Sequence, residues 1–350
     1  MGQIGILLDW KVLQRAIEGK STFERLNYYE EIGKELNLFP VFFHPLHVDF
    51  TRNKVRGYRY RNGKLVRHKT KLPKIIHNRV LTGDNKTNQA IQRLGRIGKV
   101  YNGIVARNKS TVHRLLIRNP NLRKYLPQTS LYTKDNLVRF LQGNPVVYVK
   151  PVVGSVGKGV ARIERQGDNY LFVAAGKRAV LSKYGVVTEA GRWVSGRRFL
   201  VQQGIPLARY HGRTFDIRVS VQKDGNREWN VSGLVCKVAN PQNKLSNLSR
   251  GGKAEPIDRV LLDLFDSNLK VQEIKKRISQ AAIEIAQQLN KFYPSLADLG
   301  MDMGIDREGN PYLIEVNVRD QRYSFYKAGS IGMFKETYRR PMAYGKSFLS

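Results

Sequence analysis

The chain has 350 residues, with 61 Lys or Arg against 28 Asp or Glu, a formal charge of +33 and 41% hydrophobic residues. That hydrophobic share excludes a mainly disordered basic tail, and the length suffices for two or three lobes, each able to form a core. The single Cys236 excludes a disulfide framework and a zinc ribbon, and no apolar run approaches the roughly 18 residues of a membrane span, so the expected localisation is cytoplasmic.

The charge is uneven. Residues 1–50 hold 5 basic and 7 acidic residues and residues 251–350 hold 15 and 13, whereas residues 51–250 hold 41 and 8. An excess confined to the middle of the chain calls for a polyanionic partner there, an acidic protein or nucleic acid, or else marks an unusual basic surface with no single partner.

In chain order, apolar residues 4–8, the mixed stretch 22–36 and apolar residues 40–43 predict strand, helix and strand, the opening of an α/β lobe. The start lacks a signal-peptide pattern, and Ile6 stands where an acylation motif has Ser or Thr. Residues 52–74 contain ten Lys or Arg and no acid. Within them Tyr58 and Tyr60 alternate with Arg59 and Arg61 ahead of Asn62-Gly63, a pair that tolerates positive φ and predicts a hairpin. Such a ribbon reads either as a charged edge that blocks aggregation or as a phosphate-tracking surface with tyrosines for stacking.

Residues 111–125 are amphipathic, Pro127 breaks the chain, and Thr133 caps a short helix over 133–141. Strands are predicted over 146–150, 160–164, 170–174, 199–202, 215–221 and 229–238. One long helix follows over 272–292, with Ile274, Ile278, Ile285 and Leu289 on one stripe and Pro294 as its stop. The six histidines show no metal-ligand spacing, His113 reads as the polar side of a helix, and Trp193 and Trp229 read as packing residues.

Two segments carry chemistry. Residues 150–160 run Lys-Pro-Val-Val-Gly-Ser-Val-Gly-Lys-Gly-Val between two strands, a turn whose backbone amides could cradle phosphate oxygens. It is no Walker A loop, because Gly159 follows Lys158, and no dinucleotide-binding turn, because no helix follows. Alone, it fits a flexible hairpin equally well. The second segment joins residues 299–305 to 312–317 through the turn 306–310. An unbulged antiparallel hairpin there sets Asp302 opposite Glu315, a repulsive pair unless a cation intervenes. Asn317 shares the face of Glu315, and two carboxylates with an amide oxygen suit Mg²⁺ bound together with phosphates, although in the hairpin alone one carboxylate could simply point to solvent.

Taken with Phe215-Asp216-Ile217-Arg218, Ser246-Asn247-Leu248-Ser249-Arg250-Gly251-Gly252 and Ile314-Glu315-Val316-Asn317, these segments make residues 108–324 resemble the ATP-grasp superfamily, and more closely its spore-coat-associated YheC/YheD type. The resemblance implies an α/β (α+β) fold: an N-terminal lobe over 1–105, then two β-rich subdomains over 106–203 and 204–345 that clasp a nucleotide. It implies ATP and Mg²⁺, or Mn²⁺ in its place, as cofactors, and carboxylate–amine ligation through an acylphosphate. Lys109 and Lys150 would neutralise phosphates, Ser155 and Gly157 would close the flap, and Gln202, Gln203 and Ile205 would meet the adenine. Asp216 would sit near the ribose and Ser246 and Asn247 toward the phosphates. Asp302, Glu315 and Asn317 would hold the metal, with Arg218 and Arg250 facing the acylphosphate.

Read from the residues alone, Arg218 could instead pair with Asp216 two positions away, and Arg250 could be a solvated loop residue. The chain departs from the superfamily pattern at Gln203, where the hinge often has a carboxylate, and at Leu245, where glutamate-adding relatives have Arg. It also departs at residues 318–321, where those relatives have Ser-Pro-Gly. The expected partners are a carboxylate and an amine, with an acidic peptide or protein ahead of nucleic acid. The alternatives are a non-catalytic ATP-binding coat or scaffold protein, or a kinase on the same fold.

Overall fold

The computed structural model describes residues 2–81, 83–103, 108–152, 159–240 and 251–349, and within these residues three sheets follow one another along the chain. The first lobe runs β1 (Gly2–Leu7), α1 (Trp10–Ile17), α2 (Leu26–Glu35), β2 (Leu38–Phe43), β3 (Val48–Asp49), β4 (Lys54–Arg61), β5 (Lys64–Lys71), β6 (Ile75–Asn78), α3 (Asn85–Ile97) and β7 (Lys99–Tyr101). Its sheet order is β3-β4-β2-β1-β6-β7, with β5 hydrogen-bonded to β4. β1 runs parallel to both β2 and β6, and its apolar run Ile4, Ile6 and Leu7 is fully buried, as a parallel strand covered on both faces requires. The expected hairpin is present, turning at Asn62 (φ 50°) and Gly63 (φ 75°). Helix α1 goes beyond the expected single helix between the first two strands.

The second unit contains α4 (Lys109–Leu116), β8 (Thr129–Leu131), α5 (Lys134–Gly143), β9 (Val146–Pro151), β10 (Ala161–Gln166), β11 (Asn169–Ala174), β12 (Lys177–Leu181), α6 (Lys183–Val194) and β13 (Phe199–Gln203). The antiparallel order is β12-β11-β10-β9-β13-β8. Thr133 caps α5 by accepting a hydrogen bond from the Asn136 amide. Val147, Val149, Ile163, Phe172 and Val201 pack beneath α5 and α6. Strand alternation therefore turns Tyr148, Lys150, Arg162 and Gln202 to the opposite face. Trp193 packs on this core as expected, and its indole N–H donates to the Gly159 carbonyl at 3.1 Å.

The third unit comprises β14 (Arg209–Tyr210), β15 (Arg213–Lys223), β16 (Trp229–Val238), β17 (Lys253–Pro256), α7 (Ile257–Phe265), α8 (Asn268–Phe292), β18 (Asp298–Ile305), β19 (Pro311–Asn317), α9 (Tyr323–Lys327) and α10 (Ile331–Lys346). The order is β17-β16-β15-β18-β19, with β14 on β15. Ile217, Val219 and Val221 of β15 meet the Ile274, Ile278, Ile285 and Leu289 stripe of α8, and Trp229 joins the same core. Alternate residues Asp216, Arg218, Ser220 and Gln222 form a buried polar row on the other face.

Helix α10 was not expected, since Pro341 lies inside it. Its Phe334, Tyr338 and Met342 pack with Ile4, Tyr29 and Phe42, so the first lobe shares one core with the end of the chain and closes a second of its own around Leu7, Phe43, Ile76 and Leu94. A buried ionic cluster reinforces that junction. Arg79 reaches Glu24 and Asp298 at 2.9 Å each, and Arg322 reaches Asp298 at 2.6 Å.

Candidate active site

The polar face of the second sheet and the end of β19 enclose a hollow of about 500 Å³, open mouth included, lined by Lys109, His113, Thr129, Lys150, Gln202 and Glu315. The Lys150 ammonium donates to Gln202 Oε1 at 2.7 Å, and Gln202 Nε2 donates to Thr129 Oγ1 at 2.8 Å. Lys109 opens α4. Its amide donates to the Val152 carbonyl at 3.2 Å, which ties the helix start to the end of β9, and its ammonium lies 3.4 Å from Glu315 Oε1. Burial, then the Lys109 charge, lowers the Lys150 pKa to about 8, with Glu315 opposing. Two ammonium groups face one carboxylate in a partly desolvated hollow, an arrangement that favours a polyanion.

The same face continues into a larger hollow of about 2080 Å³ that Tyr148, Arg162, Ile205, Arg209, Phe265 and Arg307 line. Tyr148 stands opposite Gln202 in the β9–β13 register, so the two hollows are adjacent stretches of one cleft. Ile205 belongs to this second stretch. The Gln203 side chain accepts from the Gln128 amide at 3.2 Å and lines neither hollow. His113, expected on the polar side of a helix, borders the first hollow, and burial lowers its pKa.

The metal candidates lie beside this cleft. Asp302 pairs with Glu315 and Gly300 with Asn317 across β18 and β19, as expected, but the hairpin is not unbulged. Met303 pairs with Leu313, leaving Ile314 as an extra residue. A regular ladder carried through from Met303 would face Asp302 with Ile314, so the bulge is what brings the two carboxylates together. Asn317 Nδ2 lies 3.5 Å from Asp302 Oδ2. Two carboxylates and an amide, the last able to present its oxygen, suit a hard cation that keeps phosphate or water ligands, so the donor set fits Mg²⁺. Among the described residues no group of three or more His, Cys, Asp or Glu side chains is arranged for a metal.

Protein cations already engage Asp302. Arg218 Nε lies 2.9 Å from Asp302 Oδ1, and Lys237 Nζ lies 2.9 Å from the same oxygen and 2.7 Å from Asp216 Oδ1. Burial pushes the Asp302 pKa up, but Arg218 and then Lys237 outweigh it and hold the carboxyl below its ordinary range. Arg218 also lies 3.3 Å from Asp320, which accepts from the Ser220 hydroxyl. Its direct partners are thus Asp302 and Asp320, and Asp216 pairs with Lys237. Gly300 makes room for this arrangement, because a Cβ there would lie 2.5 Å from Asp320 Oδ1 and 2.8 Å from Arg218 Nη1.

Lys237 and Asp320 were absent from the sequence-based set. Lys237 left a signal, a lone cation in the apolar run 234–238 standing opposite Asp216 across the β15–β16 hairpin. Asp320 left none beyond its place in the divergent segment after β19. Ser155, Gly157, Ser246, Asn247 and Arg250 lie outside the described residues.

A family model described as YheC/D like ATP-grasp matches residues 99–348. The chain belongs to the YheC/D-like ATP-grasp family. The expected α/β (α+β) ATP-grasp fold is therefore borne out, in a superfamily whose members are ATP-dependent ligases. Among relatives of this YheC/D-like chain, the endospore coat-associated protein YheD of Bacillus subtilis (strain 168) is 28% identical over 252 residues, covering 69% of this chain and 54% of YheD. The chain thus spans about half the length of YheD. The endospore coat-associated protein YheC of the same organism is 22% identical over 318 residues, covering 86% of each. The D-cycloserine synthetase DcsG superposes with a TM-score of 0.57 at 11% identity over 99% of both chains, a likeness of fold.

Proposed function

We propose that the cleft binds ATP with Mg²⁺ and that the protein is a carboxylate–amine ligase acting through an acylphosphate on an acidic peptide or protein. The observation that carries this reading is the convergence of Lys109 from α4 and Lys150 from β9 beside Glu315, next to the Asp302–Glu315–Asn317 donor set. The metal, Mg²⁺ or Mn²⁺, would supply positive charge against the transferring phosphoryl group. Lys109 and Lys150 would bind and orient the phosphates, and the amides of Ser155 and Gly157 would cover them. Gln202 and Ile205, which line the cleft, would meet the adenine edge, Asp216 the ribose, and Ser246 and Asn247 the phosphate chain. Arg218, held by Asp302 and Asp320, would present a fixed guanidinium to the carboxylate substrate together with Arg250. Such a reaction needs no side-chain nucleophile, because placed cations stabilise the charge that develops. The three sheets support functional units over 1–105, 106–203 and 204–345.

Calorimetry with ATP and Mg²⁺ tests the site. Lys150→Ala is expected to weaken binding at least tenfold, and an unchanged affinity removes the assignment. A second reading, an ATP-binding coat or scaffold protein without turnover, draws on the two cations that already engage Asp302. Its mark is nucleotide binding without any product. The names of the two Bacillus relatives point the same way, toward a place in or near the spore coat. No helix of the described residues is long and apolar enough to cross a membrane.

A further inference from the structure

The β4–β5 hairpin carries charge that nothing in the cleft uses. Its register sets Lys54 opposite Lys71, Arg56 opposite Lys69 and Tyr58 opposite Arg67, so five cations share one face. Like charges directly opposite across a ladder are destabilising. All five are exposed and form no ion pair among the described residues. Between this face and the start of α1 lies a hollow of about 820 Å³ bordered by Trp10, His47, Arg56, Arg67, His68 and Lys69. Trp10 is 41% exposed and stands edge-on to His47, with ring centroids 5.1 Å apart.

We infer that this hollow and the cationic face beside it form a docking site for an extended acidic peptide, separate from the ATP cleft. Same-face residues on a strand recur about every 6.8 Å, which is also the spacing of alternate side chains in an extended peptide. A row of carboxylates at every second position therefore matches Arg67, Lys69 and Lys71 on β5 and Lys54 and Arg56 on β4. The two guanidinium groups offer paired donors to carboxylates, and the exposed indole covers an apolar side chain between them.

Single-stranded nucleic acid fits less well, because base stacking needs successive open rings. Tyr60 is half-buried edge-on to Phe42 at 6.1 Å, and Tyr58, His47 and His68 border the hollow but are only partly open, so Trp10 is the one exposed ring there.

The site is measured without ATP, so its failure and that of the ligase reading are separable. The probe is a fluorescein-labelled peptide of about twelve residues alternating Glu and Val, read by anisotropy against the full chain. The double variant Arg56→Glu, Arg67→Glu is expected to weaken binding at least tenfold and Trp10→Ala about threefold. Lys276→Glu, Lys291→Glu on α8 removes equal charge far from the hairpin and is expected to leave affinity within twofold. The hairpin reversals relieve like-charge contacts, so their melting temperatures should not fall, and Trp10→Ala keeps the test open if they do. Equal binding by wild type, the double hairpin variant and Trp10→Ala overturns the site. Tighter binding of a single-stranded oligonucleotide of equal charge, lost in the same variants, overturns the acidic peptide as its occupant.

Discussion

Asp302 faces Glu315 across β18 and β19 because Ile314 is an extra residue in β19. The two carboxylates are held from different sides, Asp302 by Arg218 and Lys237 and Glu315 by Lys109. Each has a protein cation beside it, so a bound Mg²⁺ would exchange those partners for the ion. Glu315→Gln with Asn317→Ala is expected to weaken ATP binding by about tenfold or more in Mg²⁺ and to leave metal-free binding nearly unchanged. Calorimetry with Mg²⁺ and with chelator checks this, and equal losses in both would remove the metal assignment.

Lys150 is expected to give nucleotide binding a pH dependence with a definite sign. Its pKa in the free protein is lowered to about 8, and bound phosphates would raise it. Below that value the residue is already charged and binding is insensitive to it. Above it, binding takes up a proton, so affinity falls by up to about tenfold per pH unit. Lys150→Arg stays charged and is expected to remove the slope between pH 8 and 9.5 while retaining most of the affinity at pH 7.

Asp320 positions Arg218. Asp320→Ala leaves a buried guanidinium with one carboxylate partner fewer, and breaking such a pair costs about 3–5 kcal/mol. Urea denaturation is the check, and Asp320→Asn, which keeps an oxygen toward Arg218, is expected to lose less. If both variants retain wild-type stability, the Arg218–Asp320 contact contributes little.

His77 is fully buried, stacked on Tyr101 at 4.6 Å and 3.2 Å from Asp298. Burial lowers its pKa to about 4, so between roughly pH 6.5 and 4 the unfolded chain binds a proton that the folded one does not. Stability from this group is complete above about pH 6.5 and is lost at about 1.4 kcal/mol per pH unit as the pH falls through that window. His77→Asn is expected to flatten the slope by one proton, measured by denaturation at pH 7, 6 and 5. Identical slopes would show that His77 does not titrate there.

Local patterns were legible and long-range charge pairs were not. Strands β9, β10, β11 and β13 of the second sheet, the α8 stripe and the Thr133 cap were readable because each signal repeats within a few residues, whereas the short edge strands β8 and β12 were not. The Asp302–Glu315 pairing was readable too, although on the assumption of a regular ladder where the structure has a bulge. Glu24, Arg79, Asp298 and Arg322 carry no local mark of burial. Their partners lie far along the chain, so as sequence they look like solvated charges. Lys237 is an intermediate case, recoverable only once the β15–β16 register is known. The divergent segment after β19 is where the family pattern fails, and there Asp320 meets Arg218.

Ligation through an acylphosphate moves one carboxylate oxygen of the substrate onto the released phosphate. The most direct test incubates the protein with ATP, Mg²⁺, an amine and acidic peptides carrying ¹⁸O in their carboxylates, with mass spectrometry of the products. The expected products are ADP, a peptide joined to the amine with loss of one oxygen, and phosphate bearing one ¹⁸O from the carboxylate. Release of unlabelled phosphate with unmodified peptide, or no turnover with nucleotide bound, would contradict this route.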